Sequence, residues 1–253
     1  MTVDTAVRVG FEFCERLMLT LPISGVSASI REAKEHGLAI HFALPVPHEA
    51  KLSEVAAWIS HLSREKLVDA WIVNDVGMLR LLEEHDPQKS PVILGRLFDK
   101  SLHESRYPLM PQGLQSELSH HFVSAGALAR YLLEHQLACG MEVDFSPGTT
   151  LDVSAIAATT NCYVHLHTMF VGCTDYCLFG VGEGQSLTDV RLGACCTQRC
   201  ASFVRKINLE HSHPIYQVGN AFFSLRTSDP STQVSGVFLP ILHPSVSRGG
   251  SER

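Results

Sequence analysis

The feature that most constrains this chain is an alternation of two hydrophobic periods. The segments "TAVRVGF", "LAIHFALPV", "DAWIVND", "PVILGRL", "HHFVSA", "MEVDFS" and "CYVHLHT" read as short strands bounded by turn signals. Helical segments lie between them. In Lys51–Lys66, Leu52, Val55, Ala56, Ile59 and Leu62 recur at helical spacing. Asp75–His85 and Ala127–Leu137 also read as helices, and Thr150–Thr159 begins with a capping residue. Strand and helix in this order predict an α/β fold with a parallel sheet and crossover helices. About seven strands before residue 170 favour a (β/α) barrel over an open sheet. In either architecture reactive groups gather at the carboxyl ends of the strands.

The character changes after Thr168. Residues 169–206 hold five of the eight cysteines and little strand pattern. Beyond them "IYQVGNAFFSL" and "SGVFLPIL" read as two closing strands. The expected organisation is a single barrel-like domain over 1–240, with a cysteine-rich insert at 169–206. Residues 241–253 read as a disordered tail.

Charge and hydropathy narrow the functional classes. The net charge is −6 with no basic patch, which argues against non-specific nucleic-acid binding. No apolar run approaches the roughly 20 residues that span a bilayer. The segment "MTVDTAVRVG" carries no signal-peptide pattern, so the chain reads as cytoplasmic. Disulfides are rare in that compartment, and clustered cysteines there bind metal or act in redox chemistry.

The cysteines form such a cluster. Cys173 and Cys177 are four apart, as are Cys196 and Cys200, and Cys195 adjoins the second pair. Positions i and i+4 share a helix face, so each pair can present two thiolates to one ion. Spacing alone leaves three readings open: structural zinc, an iron–sulfur cluster, and inert buried thiols. Cys139 and Cys162, isolated beside apolar stretches, read as small buried hydrophobes.

The stretches "AVRVGFEFCER", "LAIHFALPVPHEAKLSEVAAWI", "VDAWIVNDVGMLRLL", "YVHLHTMFVGCTDYCLFG", "GACCTQRC" and "YQVGNAFFSL" together give the chain a resemblance. It resembles the collagenase-like peptidase family (U-32) over about residues 4–226, the order and spacing of the stretches carrying the likeness. Within the family it is most similar to the UbiV-type iron–sulfur proteins of anaerobic ubiquinone biosynthesis. The resemblance implies a 4Fe–4S cluster held by Cys14, Cys177, Cys196 and Cys200, with Cys173 and Cys195 as alternates. It implies an oxygen-independent hydroxylation system acting on an aromatic ring, and a heterodimer with a related cluster-bearing subunit. Relatives begin with a further strand and helix ahead of the Cys14 element. The expectation is therefore a barrel-like fold lacking its first strand–helix unit, either through truncation or with a partner or a closing strand filling the gap.

Other candidates are local. His165 and His167 in "YVHLHT" share a strand face, and the resemblance favours His167 as a catalytic group. Asp75 follows "WIVN" at a strand end, where it serves either as a catalytic carboxylate or as a helix cap. Arg96 and Asp144 also sit at strand ends. Glu183 and Asp189 read as a solvated loop, and "GVGEG" as a weak phosphate-loop candidate. A peptidase reading lacks a G-x-S-x-G elbow or an HExxH helix, and cysteines committed to a cluster cannot attack a peptide. RNA-base hydroxylation, a non-catalytic redox or scaffold subunit, and zinc in place of the cluster are the remaining alternatives.

Overall fold

A computed structural model describes residues 6–12, 14–98, 111–113, 127–144, 161–165, 168–173, 200, 204–208 and 214–225. The backbone divides into two compact units. The first holds residues 1–100, 124–143 and 153–163, and the second holds 101–123, 144–152 and 164–253. The expected strands "HHFVSA" and "SGVFLPIL", the helix at Thr150–Thr159 and the tail over 241–253 lie outside the described residues.

The first unit is a mixed α/β structure built on a curled parallel sheet. Its strands are β1 (Ala6–Gly10), β2 (Ala39–Ala43), β3 (Ala70–Val73), β4 (Val92–Leu94) and β5 (Gly140–Asp144). They pair in chain order, every pair parallel. β6 (Asn161–His165) follows β5 in the sheet. Crossovers between the strands carry α1 (Glu15–Thr20), α2 (Ile23–Glu35), α3 (Leu52–Arg64), α4 (Val76–His85) and α5 (Ala127–Glu134).

Register separates two faces. Arg8 pairs with His41, Gly10 with Ala43, and His41 with Ala70. Ala43 pairs with Ile72, Ile72 with Ile93, and Ile93 with Gly140. Period-two alternation therefore puts Ala6, Arg8, Gly10, Ala39, His41, Ala43, Ala70, Ile72, Ile93, Gly140 and Glu142 on one face. That face is rich in small residues, which leaves room for the sheet to curl toward it. Ile40, Phe42, Trp71, Val73, Leu94 and Met141 occupy the other face under the helices and are all buried. A parallel sheet covered on both faces gives near-continuous apolar strands, as seen here.

The helices follow from local signals. In α3, Val55, Ile59 and Leu62 are fully buried, the stripe read from spacing. α2, α3 and α5 end alike, each with a left-handed residue: Gly37 (φ 76°), Lys66 (φ 53°) and Gln136 (φ 57°). The next residue is Leu in all three cases, and its N–H returns to a carbonyl five residues back. These bonds are Leu38 to Ala33 (3.2 Å), Leu67 to Leu62 (3.0 Å) and Leu137 to Leu132 (2.9 Å). This is the Schellman closure, and it turns the chain into the next strand. α1 and α2 were not read from the sequence; α2 buries Ser27 and Ile30, and small residues fill much of "ISGVSASIREAKE".

Gly10 is indispensable locally. Its φ is 120°, and a Cβ there would collide with the Ala43 backbone. That close approach lets Phe11 N–H donate to the Ala43 carbonyl at 3.0 Å.

The second unit contains an antiparallel sheet of β7 (Thr168–Cys173), β8 (Arg205–Ile207), β9 (Ile215–Val218) and β10 (Ala221–Leu225), ordered β7-β10-β9-β8. Two expectations change here. Residues 168–173 form a strand where little strand pattern was read. "IYQVGNAFFSL" is a hairpin rather than one strand. Gly219 has φ 61° at the first turn position, and a Gly-Asn pair between apolar runs is itself a hairpin signal.

One buried carboxylate ties the outer layer together. Asp86, which follows α4, accepts from Trp71 Nε1 (2.9 Å), Gln88 N (3.0 Å), Ser90 N (2.9 Å) and Ser63 Oγ. Burial alone would raise its pKa, but these donors outweigh that and hold it below the ordinary value. Asp86→Ala should cost about 3 kcal/mol, by stranding the Trp71 and Ser63 donors. The depressed pKa places the ionised-state contribution above about pH 4, and it is lost as pH falls. Urea titration of wild type and Asp86→Ala at pH 7 and pH 3.5 checks this: the gap between them should shrink in acid.

Candidate functional site

The concave face of the first unit holds charge where a parallel sheet normally holds only hydrocarbon. Arg8 projects from the middle of β1. Its Nε donates to Glu142 Oε1 at 2.6 Å, and its Nη2 donates to Glu142 Oε2 at 3.2 Å. The same Nη2 lies 2.7 Å from Glu12 Oε2. Glu142 is 0% exposed and Glu12 8% exposed. In a flat sheet β1 and β5 would stand four strand spacings apart, about 19 Å. Their side chains meet only because the sheet curls.

Further polar groups stand on the same unit. Arg96 opens the short turn Arg96–Phe98 after β4 and is buried. Asn74 follows β3, and its Oδ1 accepts from Leu97 N–H at 3.0 Å. Gly95 makes space for it, since a Cβ at Gly95 would sit 2.7 Å from Asn74 Cγ. Glu12, Asn74 and Arg96 all lie just beyond strand carboxyl ends, where α/β proteins place their chemistry.

Electrostatics differ sharply across this group. Burial would lower the Arg8 pKa, but Glu12 and Glu142 outweigh it and hold the guanidinium charged above its ordinary range. Burial pushes the Glu12 carboxyl up, with Glu142 adding to the effect, against the pull of Arg8 and Arg96. Burial pushes the His41 imidazole down, and Glu142 and Asp69 do not offset it. His41 meets the Tyr163 ring edge-to-face at 5.5 Å. The group therefore combines a guanidinium held charged, a second buried carboxyl at Glu142, a Glu12 carboxyl whose pKa burial raises and a His41 imidazole whose pKa burial lowers. Such a set can orient a polar ligand and exchange protons with it.

Cys14 lies two residues past Glu12, between β1 and α1, and is half-buried. Its N–H donates to the Phe11 carbonyl at 2.6 Å. The neighbouring Glu15 is buried and accepts from His48 N–H at 2.6 Å, with His48 Nδ1 at 2.8 Å. These contacts fix the loop that presents the thiol.

The other sequence candidates fare as follows. Asp75 caps α4, its Oδ1 accepting from Gly77 N–H at 2.7 Å. Asp144 closes β5, and its Oδ2 accepts from Phe170 N–H at 3.0 Å. His165 is the last residue of β6. Cys200 is half-buried in the second unit, and Cys173 is exposed at the end of β7. His167, Cys177, Cys195, Cys196, Glu183, Asp189 and "GVGEG" lie outside the described residues. Among the described residues no group of three or more His, Cys, Asp or Glu is placed to hold a metal ion. None of their helices is long and apolar enough to cross a membrane.

Arg8, Glu12, His41 and Glu142 were missed from sequence, although a signal was present. Each of "AVRVG", "AIHFA" and "GMEVD" carries one ionisable residue mid-strand in an otherwise apolar run. If the sheet is parallel, both faces are covered, and such a residue must be buried and partnered.

Glu142→Ala should destabilise the chain by about 3–5 kcal/mol, because it leaves a buried guanidinium short of a partner. The double substitution Arg8→Met and Glu142→Met should recover most of that loss, read by chemical denaturation. The lowered His41 pKa means the unfolded chain binds more protons through the histidine range. Stability from His41 is complete above about pH 6.5 and falls as pH drops toward the folded value. His41→Gln should flatten the stability-versus-pH curve between pH 7 and 5. Comparison with family models, with curated proteins and with solved structures finds no match for this chain.

Proposed function

We propose that this chain is an iron–sulfur component of an oxygen-independent hydroxylation system, acting on an aromatic ring in ubiquinone biosynthesis. The observation that carries the reading is the position of Cys14. It is half-buried beyond the carboxyl end of β1, two residues past the buried Glu12. The resemblance assigns a cluster ligand to this loop, and parallel-sheet proteins gather reactive groups at this end. Cys200, also half-buried, suits a ligand's need for restricted solvent access. Cys177 and Cys196 complete the set by resemblance, with Cys173 and Cys195 as alternates.

A bound cluster would supply single electrons at a potential tuned by hydrogen bonds and solvent exclusion. The chain's own groups would do the rest. Arg8 and Glu142 would tie β1 to β5, and Glu12 and Arg96, beyond the strand carboxyl ends, would supply polar contacts to a substrate. In this reading the curled sheet belongs to a (β/α) barrel, and the chain works beside a related cluster-bearing subunit.

Anaerobically purified protein should be brown and hold about four irons per chain, with matching sulfide. Cys14→Ala, Cys177→Ala and Cys200→Ala should each abolish the visible absorption, and Cys139→Ala and Cys162→Ala should leave it intact. Colourless protein carrying one stoichiometric zinc would overturn the reading.

A further inference from the structure

A layer of polar groups stands on the concave face of the first unit, at the carboxyl ends of its strands. Gly10, Ala43, Ile72, Ile93 and Gly140 are matched in register across β1 to β5. Two residues further along their strands come Glu12, Asn74, Gly95 and Glu142, on the same side by period-two alternation. The ladder runs on past the matched row. Leu44 N–H donates to the Ile72 carbonyl at 2.9 Å, and Gly95 N–H to the Val73 carbonyl at 2.6 Å. Contacts agree with this facing. Phe11 meets Phe42 and Trp58 edge-to-face, with ring centroids 6.4 Å apart in both pairs, which turns Glu12 back toward Arg8. A Cβ on Gly95 would lie 2.7 Å from Asn74 Nδ2, so these two neighbours share a face.

Two buried atoms of this layer have unfilled hydrogen-bonding capacity. Glu12 Oε1 and Asn74 Nδ2 meet no hydrogen-bond partner among the described residues, although Glu12 is 8% exposed and Asn74 6% exposed. Leaving such an atom unpaired costs about 1–3 kcal/mol, and native structures seldom do so without a water, ion or ligand to satisfy it. The role of each atom is fixed. Asn74 Oδ1 accepts from Leu97 N–H, so Nδ2 on the same amide donates. Glu12 Oε2 faces Arg8, which leaves Oε1 to accept from something else. Charge narrows the partner further. Glu12 and Glu142 stand beside Arg8, and Arg96 is close enough to pull the Glu12 pKa down. A charged ligand group of either sign therefore meets a like charge, which is costly in a buried site. A neutral hydroxyl both donates and accepts.

We propose that this layer binds a neutral, hydroxyl-bearing small molecule, whose hydroxyl groups donate to Glu12 Oε1 and accept from Asn74 Nδ2. Gly10, Ala43 and Gly140 beneath the layer leave it space. The hydroxyl belongs either to a phenol or to an aliphatic polyol, and the same two atoms serve both. The inference deepens the reading above, which rests substrate contacts on Glu12. Its test reads binding alone, so a failure here and an absence of iron are separate results.

The test is titration of the full chain at pH 8 with phenol and, separately, with glycerol, followed by the assigned side-chain amide resonances of Asn74 in ¹H–¹⁵N spectra. At least one of the two should shift those resonances saturably. Phenol alone assigns the site to an aromatic hydroxyl, and glycerol alone to a polyol. The binder should be held about tenfold more tightly than its methyl ether, anisole or glycerol trimethyl ether, which accepts but cannot donate. Glu12→Gln keeps an oxygen for Arg8 and turns an N–H toward the ligand, so it should erase that preference. If Glu12→Gln does not fold, as read by circular dichroism, the wild-type preference decides alone. Failure of both probes to shift Asn74 would leave an ordered water only and overturn the proposal. Equal binding of the hydroxyl compound and its ether, or a preference that persists in folded Glu12→Gln, would also overturn it.

Discussion

The ion pair between Arg8 and Glu142 sets the geometry on which the first unit depends. Two strands that are not neighbours in the sheet are joined through its interior by a bidentate contact of 2.6 and 3.2 Å. Desolvating these charges is costly, and Coulomb attraction offsets the cost only with good geometry and further partners. Glu12 supplies one such partner at 2.7 Å. The concave face makes the arrangement possible. Alanine and glycine at Ala6, Gly10, Ala39, Ala43, Ala70 and Gly140 leave the space that long charged side chains then fill. Of the apolar residues on that face in β1 to β5, only Ile72 and Ile93 are bulky, on the strands between those that carry Arg8 and Glu142.

Much of this scaffold is legible in the sequence, and the reasons are physical. Strand positions followed from short apolar runs, because both faces of a parallel sheet are covered. Helix α3 followed from its stripe, whereas Asp75 stood open between a catalytic carboxylate and a helix cap until its bond to Gly77 showed the cap. The α1–α2 pair was not read: α1 is only six residues long, and α2 has few large apolar residues to mark its buried face. The hairpin at Gly219 was obscured by the continuity of apolar residues across its two-residue turn. The charged group escaped notice for a different reason. Its members come from separate strands, and pairing between positions 8 and 142 is a property of curvature, which no local window contains.

The candidate site shows how positioning and chemistry are divided. Gly95 contributes nothing chemical, yet its missing side chain is what admits Asn74, whose carbonyl then fixes the turn bearing Arg96. Glu15 acts likewise for Cys14: its two contacts with His48 join the loop after β2 to the start of α1. In both places a residue that takes no part in ligand chemistry decides where the reactive neighbour stands. The cysteine pattern drew attention from sequence because thiols are rare and clustered. The residues that hold Cys14 in place carry no comparable mark.

The separation of Arg8 and Glu142 by 134 residues bears on how the chain acquires its structure. Contacts this distant in sequence form late, because the entropy of closing the intervening loop must be met first. During synthesis β1 to β4 can pair in order, each through a local crossover, and Arg8 remains in water meanwhile. Only when β5 emerges does the guanidinium find Glu142, and the sheet can take up its curl. Curvature is then a product of completion: the buried charge group does not exist on a shorter nascent chain, and it assembles only once the fifth strand has been made.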